Sequence, residues 1–159
     1  MRLLLLLPFL LFPLCANAAE QNEFQSQVLE CVSLIGKKTG WAECRTMMFA
    51  PCSEHKVGSD PHVACLSKEL VGWRQTMDAK REIMNEKLTL EGNAMLLDLM
   101  REWTGYVDAS CEEVAVARVS ISSDAARTGC QIAETVGITA EFNICLKGDS
   151  IAPYCIFRE

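Results

Sequence analysis

The sequence has few of the motifs on which enzymes commonly depend. It contains only two histidines, and no Gly-x-Ser-x-Gly segment that would place a nucleophilic serine on a sharp turn. Its nine glycines are scattered singly, so none of them forms a phosphate-binding loop. We therefore expect a protein that is not an enzyme and that needs no cofactor.

Long apolar runs and strand-like patterns are also scarce. No stretch alternates between apolar and polar residues for long, so a β-sheet is not expected. After the N-terminal leader, no run is apolar enough over the roughly 20 residues that a membrane-spanning helix needs. The chain also lacks internal repeats and low-complexity linkers. These absences predict one all-α domain that does not cross a membrane after the leader is removed.

The first eighteen residues have the layout of a secretory signal peptide. Arg2 precedes an apolar run over residues 3–14, and Ala16-Asn17-Ala18 forms a small-residue cleavage site. Cys15 raises the alternative of a lipoprotein, but it follows a leucine where a small residue is usual. We predict cleavage after Ala18, a mature domain over residues 19–159, and a periplasmic or secreted location.

The charge of the chain limits its partners. The formal net charge is −6, and loss of the leader with Arg2 makes it one unit more negative. An acidic surface disfavours nucleic acids and anionic lipids as partners, and it favours association with a basic protein.

Cysteines are abundant for a chain of this length. Beyond Cys15 there are eight, an even number that predicts four disulfides in an oxidising compartment. Cys111 and Cys130 lie on either side of an expected turn near Ile121, so an antiparallel helix pair should bring their Cα atoms within about 7 Å. For the others, proximity along the chain favours the pairs Cys44–Cys52 and Cys31–Cys65, which leaves Cys145–Cys155.

The two histidines offer an alternative use for two of these cysteines. Cys52-x-x-His55 and His62-x-x-Cys65 have the spacing of zinc ligands, and zinc there would suit a metal-binding protein or a metal-assisted hydrolase. Thiolates are needed for that role, whereas oxidised cysteines cannot supply them. We favour the disulfides and expect no metal.

Apolar residues at three- and four-residue steps predict several helices. The expected ranges are Glu20 to Ile35, a long helix that opens at Asp60-Pro61 and is ended or kinked by Gly92, Asn93 to Val119, and Asp124 to Lys147 before Gly148. Between the first two, residues 37–60 form a cysteine-pinned loop with a short helix near Trp41 to Phe49. The fold class expected is all-α, with antiparallel helical hairpins or a bundle stapled by disulfides.

The helix that opens at Asp60 has the clearest apolar stripe, interrupted once at Lys80 and Arg81. The stripe predicts a core-facing side and consists of Val63, Leu66, Leu70, Trp73, Met77, Met84 and Leu88. In the next helix, the opposite side is acidic and is formed by Asp98, Glu102, Asp108 and Glu112. We interpret these carboxylates as a solvated face that is also the candidate partner-binding surface.

One block of that helix resembles a known family. The residues are Leu96, Trp103, Tyr106, Asp108, Ala109 and Cys111. The resemblance extends upstream to Cys44, Cys52, Cys65-Leu66, Glu69 and Trp73, and downstream to Cys130 and Thr135. Together they are similar to the LprI-like lysozyme-inhibitor family of small, cysteine-rich envelope proteins.

The resemblance implies lysozyme inhibition without locating an inhibitory residue. The physical interpretation of the block is structural: Trp103 belongs to an apolar stripe, and Tyr106 and Asp108 could hydrogen-bond a neighbouring helix. The function expected is a protein-binding module of the envelope, with a cationic lysozyme as its candidate partner. The alternative is an envelope protein with a structural or stress role and no lysozyme target.

Overall fold

The structure is a computed structural model that describes residues 14–35, 39–118 and 120–158, with side chains described from Asn22 onward. Most of the predicted signal peptide lies outside the described residues, so the signal peptide stays a prediction. The first described helix begins at Leu14 and therefore runs through the predicted cleavage site after Ala18.

Five α-helices and one short 3-10 helix make up the described part of the chain. They are α1 (Leu14–Ser33), α2 (Trp41–Met48), the 3-10 helix (Ala50–Cys52), α3 (Asp60–Lys87), α4 (Leu90–Ala117) and α5 (Ser123–Leu146). No strand occurs among the described residues, where only isolated bridges pair extended residues. The predicted all-α class with disulfide-stapled hairpins is confirmed.

Hydroxyl side chains begin the three long C-terminal helices. Ser59 accepts a hydrogen bond from His62 N at 3.4 Å, Thr89 accepts from Gly92 N at 3.1 Å, and Ser122 accepts from Ala125 N at 3.2 Å. The predicted opening of α3 at Asp60-Pro61 is confirmed, since Ser59 takes the extended capping conformation and Asp60 is the first helical residue.

The order of packing differs from the order of the chain. α5 lies between α3 and α4 and contacts α1 as well, whereas α3 and α4 have little direct contact despite their two-residue connection. α5 runs parallel to α3, since Lys80 bonds Asn143 near the ends of both helices. It runs antiparallel to α4, since Cys111 of α4 bonds Cys130 near the start of α5.

The core consists of two apolar clusters, and both of them include residues of α5. The first includes Val28 of α1, Met48 of α2, Trp73 of α3 and Val136 of α5. The second joins the last turns of α3 to the first turns of α4, the end of α5 and the C-terminal tail, with Met84, Leu88, Leu96, Phe142 and Tyr154 among its members. The stripe predicted on α3 is therefore divided between two clusters.

Two of the four predicted disulfides are confirmed, and the other two are wrong. Cys111–Cys130 and Cys145–Cys155 are present as predicted, with Cα atoms 5.4 and 5.7 Å apart. The predicted pairs Cys44–Cys52 and Cys31–Cys65 are wrong, because the structure joins Cys31 to Cys44 and Cys52 to Cys65.

The reason for the different pairing is the course of the chain between α1 and α3. Thr39 N donates to Leu34 O at 3.4 Å and its hydroxyl donates to Cys31 O at 3.1 Å, so the chain reverses and lays α2 against the end of α1. The 3-10 helix packs in turn on α3. Each disulfide therefore links two elements that are next to one another in the chain.

The C-terminal tail crosses the connection between α3 and α4. Thr89 N donates to Ile156 O at 2.8 Å, and Arg158 N donates to Lys87 O at 2.9 Å. A Cβ on Gly92 would lie only 2.8 Å from Tyr154 O, so the tail requires a glycine there. The prediction that Gly92 ends or kinks the preceding helix was wrong: α3 ends at Lys87, and Gly92 belongs to the first turn of α4.

Candidate functional site

The four acidic residues predicted as a binding surface are all carried by α4. One side of this helix is apolar and faces inward, with Leu96, Met100, Val107, Cys111 and Ala115 buried at steps close to the helical period. Because α4 packs mainly against α5, the opposite side is left uncovered along the helix. The inward stripe therefore fixes which residues of α4 point to solvent.

The structure places Asp98, Glu102, Asp108 and Glu112 together on this uncovered side, and we call them the acidic face. All four are exposed. Residues 98 to 112 span about 21 Å along a helix that rises 1.5 Å per residue. The acidic face is thus an elongated strip of charge rather than a cleft that could hold two carboxylates across a substrate.

Two of the four carboxylates have cationic partners. Asp98 accepts from Arg101 Nη2 at 2.9 Å, within the same helix. Glu112 accepts two hydrogen bonds from Arg127 of α5, at 2.7 Å from Nε and 3.1 Å from Nη2, and Arg127 also bonds Asp124 at 2.8 Å. These hydrogen bonds from Arg127 hold the pKa of the Glu112 carboxyl below its ordinary value.

The other two carboxylates differ from these in their surroundings. Glu102 and Asp108 form no ion pair within the part of the chain that the structure describes. Since exposed charges interact through solvent, a nearby arginine weakens the field of its carboxylate without removing it. Among the described residues, Glu102 and Asp108 at the middle of the acidic face are therefore its carboxylates without an arginine partner.

Apolar side chains lie on the same helix beside the acids. Leu90, Leu97, Tyr106 and Val116 are respectively 85%, 64%, 59% and 74% exposed. Single exposed apolar residues are common on protein surfaces, but here several are carried by the one helix that has an uncovered side. The surface of α4 consequently offers both negative charge and apolar area.

Tyr106 and Asp108 do not have the structural role that was predicted for them. Both side chains are exposed, and neither forms a side-chain hydrogen bond among the described residues. The expectation that they fix a neighbouring helix was wrong; from this face of α4 it is Glu112 that reaches α5, through its hydrogen bonds from Arg127. They belong instead to the surface that a partner could contact.

Trp73 and Trp103, the tryptophans of the two long helices α3 and α4, differ in burial. Trp73 is fully buried in the first cluster, and the ring of Phe24 meets it edge-on with the ring centroids 6.5 Å apart. Trp103 is only partly buried, at the margin of the second cluster. Trp73 is a core residue as predicted, whereas Trp103 has one side near the surface.

The alternative metal site on Cys52, His55, His62 and Cys65 loses its ligands in this structure. Cys52 and Cys65 are bonded to one another, so neither offers a thiolate. His62 Nδ1 accepts a hydrogen bond from Gly58 N at 3.3 Å. Among the residues that the structure describes, no group of three cysteine, histidine or acidic side chains is placed to hold a metal ion.

The sequence did not predict the groove of mixed polar and apolar lining that lies between α1 and α3. It is lined in part by Gln25, Ser26, Thr76 and Lys80, and it continues toward the end of α5. The one available signal was the break in the α3 stripe at Lys80, where a core helix would ordinarily have an apolar residue. The groove lies on α1 and α3, whereas the acidic face lies on α4.

Comparison with known proteins adds no identity. No protein family, curated protein or solved structure matches this chain. The resemblance to LprI-like lysozyme inhibitors therefore stays a prediction from the sequence. In the described residues, no helix has the length and apolar character needed to cross a bilayer.

Proposed function

We propose that this protein is a secreted or periplasmic binding module whose acidic face on α4 contacts a cationic protein, with lysozyme as the first candidate. The observation that carries the proposal is that α4 is an outer helix with one side packed on α5 and an uncovered side bearing Asp98, Glu102, Asp108 and Glu112. Lysozyme as the target comes from the family resemblance alone.

Charge supports a basic partner over other kinds. The whole chain has a net charge of −6, and the acidic face concentrates several of its carboxylates on one helix. Complementary charge accelerates encounter and disfavours wrong partners, while its effect on affinity depends on close contacts. A basic protein would be attracted to this surface, whereas nucleic acids and anionic membranes would be repelled.

The apolar residues of α4 supply what charge alone does not. Specific interfaces combine a desolvated centre with a polar rim, and tyrosine is one of the residues enriched at their centres. Tyr106 and Leu97 are exposed beside the acidic face. A partner that covers them would bury apolar area and gain affinity beyond electrostatic attraction.

The disulfides support a secreted location, because they persist in an oxidising compartment. All eight cysteines of the predicted mature domain are paired in four disulfides. Such bonds persist in the periplasm or outside the cell, whereas the cytosol keeps thiols reduced. The predicted signal peptide indicates the same destination.

The proposal is tested by measuring inhibition of several cationic lysozymes by the oxidised, folded protein at low and at physiological ionic strength. We expect inhibition that weakens as salt rises, since charges more than about 8 Å apart are screened at physiological ionic strength. The double reversal Glu102→Lys with Asp108→Lys should abolish most of this inhibition, because among the described residues these two carboxylates form no ion pair that would compete with a partner.

The matched control is the double reversal Glu82→Lys with Glu86→Lys, which changes the net charge equally at exposed positions of α3. This control should retain most of the inhibition. Equal loss in both double variants would show that only net charge matters and that α4 is not the contact. Absence of any inhibition at low salt and high molar excess would exclude lysozyme as the target.

A further inference from the structure

The groove between α1 and α3 has the size of a small-molecule site. Its volume is about 450 Å³, and a second hollow of about 340 Å³ adjoins it at the end of α5. The two hollows share Ser26, Leu29 and Lys80, so Lys80 lies at their junction. Typical ligand pockets have volumes of about 300–1,000 Å³, and this groove is within that range.

Two lysines face this region from different helices. Lys80 of α3 is half-buried and its Nζ donates to Asn143 Oδ1 of α5 at 2.9 Å, while Lys147, just after α5, lines the adjoining hollow. Neither forms an ion pair with a carboxylate among the described residues, although Glu30 lines the same hollow. Two ammonium groups thus share a pocket in a protein that is acidic as a whole.

A buried amide provides a further donor in the groove. Gln25 of α1 is 3% exposed, and its Oε1 accepts a hydrogen bond from the Thr76 hydroxyl. Among the described residues, no hydrogen-bond partner meets its buried Nε2. A buried donor that lacks an acceptor loses its hydration without compensation, so a ligand that supplies an acceptor at this point recovers the lost hydrogen bond.

We propose that this groove binds a small ligand through a compact oxyanion, a carboxylate or a phosphate, held by the ammonium groups of Lys80 and Lys147 and by the amide of Gln25. An oxyanion beside Lys80, where the two hollows meet, supplies acceptors toward Gln25 on one side and Lys147 on the other, and it neutralises part of the positive charge of the two lysines. Lysine binds such groups as a flexible point charge, which suits a pocket that selects charge more than shape.

The protonation of Lys80 is consistent with this assignment. Burial, followed by the nearby Lys147 charge, holds the pKa of the Lys80 ammonium below its ordinary value. An anion bound between the two ammonium groups favours their charged forms and would raise that pKa again. A neutral ligand would not reduce the repulsion between the charges of Lys80 and Lys147.

The test is a titration of the ¹⁵N-labelled, oxidised protein with inorganic phosphate and, separately, with succinate, at constant ionic strength maintained with chloride. We expect saturable shifts of the Gln25 side-chain amide with at least one of the two probes, and the responding probe identifies the oxyanion preferred. Lys80→Gln and Lys147→Gln should each weaken binding by tenfold or more, while their melting temperatures show whether they remain folded.

Lys56→Gln is the matched control, because it removes an equal charge at an exposed position in the loop before α3, outside the groove. This variant should bind like the unmodified protein. Linear, unsaturable shifts with both probes would overturn the proposal, as would equal weakening in all three variants. Since the readout is an amide in the groove, it is independent of whether α4 binds lysozyme.

Discussion

Replacing Gly92 by alanine tests how tightly the C-terminal tail is packed on the start of α4. A Cβ at this position would lie 2.8 Å from Tyr154 O and 3.1 Å from Ile156 O. Both oxygens are backbone atoms, and Ile156 O is held by the hydrogen bond from Thr89 N. The tail is anchored further by Cys145–Cys155. The tail therefore cannot yield as a flexible side chain would.

The magnitude follows from two opposing contributions. In a helix, alanine is favoured over glycine by up to about 1 kcal/mol, which would stabilise the variant. Overpacking against fixed neighbours typically costs about 1–3 kcal/mol, and a weakened backbone hydrogen bond adds about 1 kcal/mol. The overpacking is the larger effect, so we expect Gly92→Ala to lower the free energy of unfolding by about 1–3 kcal/mol.

Gly105→Ala is the matched control in the same helix. Apart from its chain neighbours and the backbone of its own helix, a Cβ at Gly105 meets no described atom within 4 Å, and the position is exposed. Here only the preference of a helix for alanine over glycine remains, so the free energy of unfolding should rise by about 0.5–1 kcal/mol.

Urea unfolding of the oxidised proteins, followed by circular dichroism, measures both changes as shifts of the midpoint at constant slope. If Gly92→Ala were as stable as Gly105→Ala, the contact between the tail and α4 would not exist as described.

Two further predictions concern side chains of α3 and α4. Trp73→Ala should lower the free energy of unfolding by about 3–5 kcal/mol, because it empties a buried aromatic site. Trp103→Ala should lower it by only about 1–3 kcal/mol, because that ring is partly buried. Losses of similar size in urea unfolding would contradict the different burial of the two rings. Burial raises the pKa of the Glu69 carboxyl despite the opposing charge of Lys68, so its ionisation opposes folding once the pH exceeds the unfolded value. Glu69→Gln should therefore raise the melting temperature at neutral pH and not near pH 3, and a gain of equal size at both pH values would refute the shift.

Helix positions could be predicted well because they depend on local spacing. The apolar spacing predicted a helix over 93–119, and the structure has α4 over Leu90–Ala117. Cys111–Cys130 was predictable for the same reason, since both cysteines belong to one hairpin of adjacent helices. The exposure of the acidic face also followed from the position of the inward stripe.

Features that depend on distant parts of the chain could not be predicted in this way. Gly92 is needed because the tail, more than sixty residues later, passes over it. The pairing of Cys31 with Cys44 depends on how the chain reverses at Thr39 and lays α2 on the end of α1, and sequence spacing alone does not give that direction. Lys80 looked like a gap in a core stripe, and only the approach of α1 and α5 places it in a groove.

The most direct test of the proposed binding surface is to map the contact in solution. The ¹⁵N-labelled protein would be titrated with an unlabelled cationic lysozyme at low ionic strength, and shifts of the backbone amides would be recorded. We predict that the largest changes follow the uncovered side of α4, around Glu102, Tyr106 and Asp108, and that they diminish as salt is added. Changes confined to the groove between α1 and α3, or no changes at all at the lowest salt, would contradict the assignment of α4 as the binding surface.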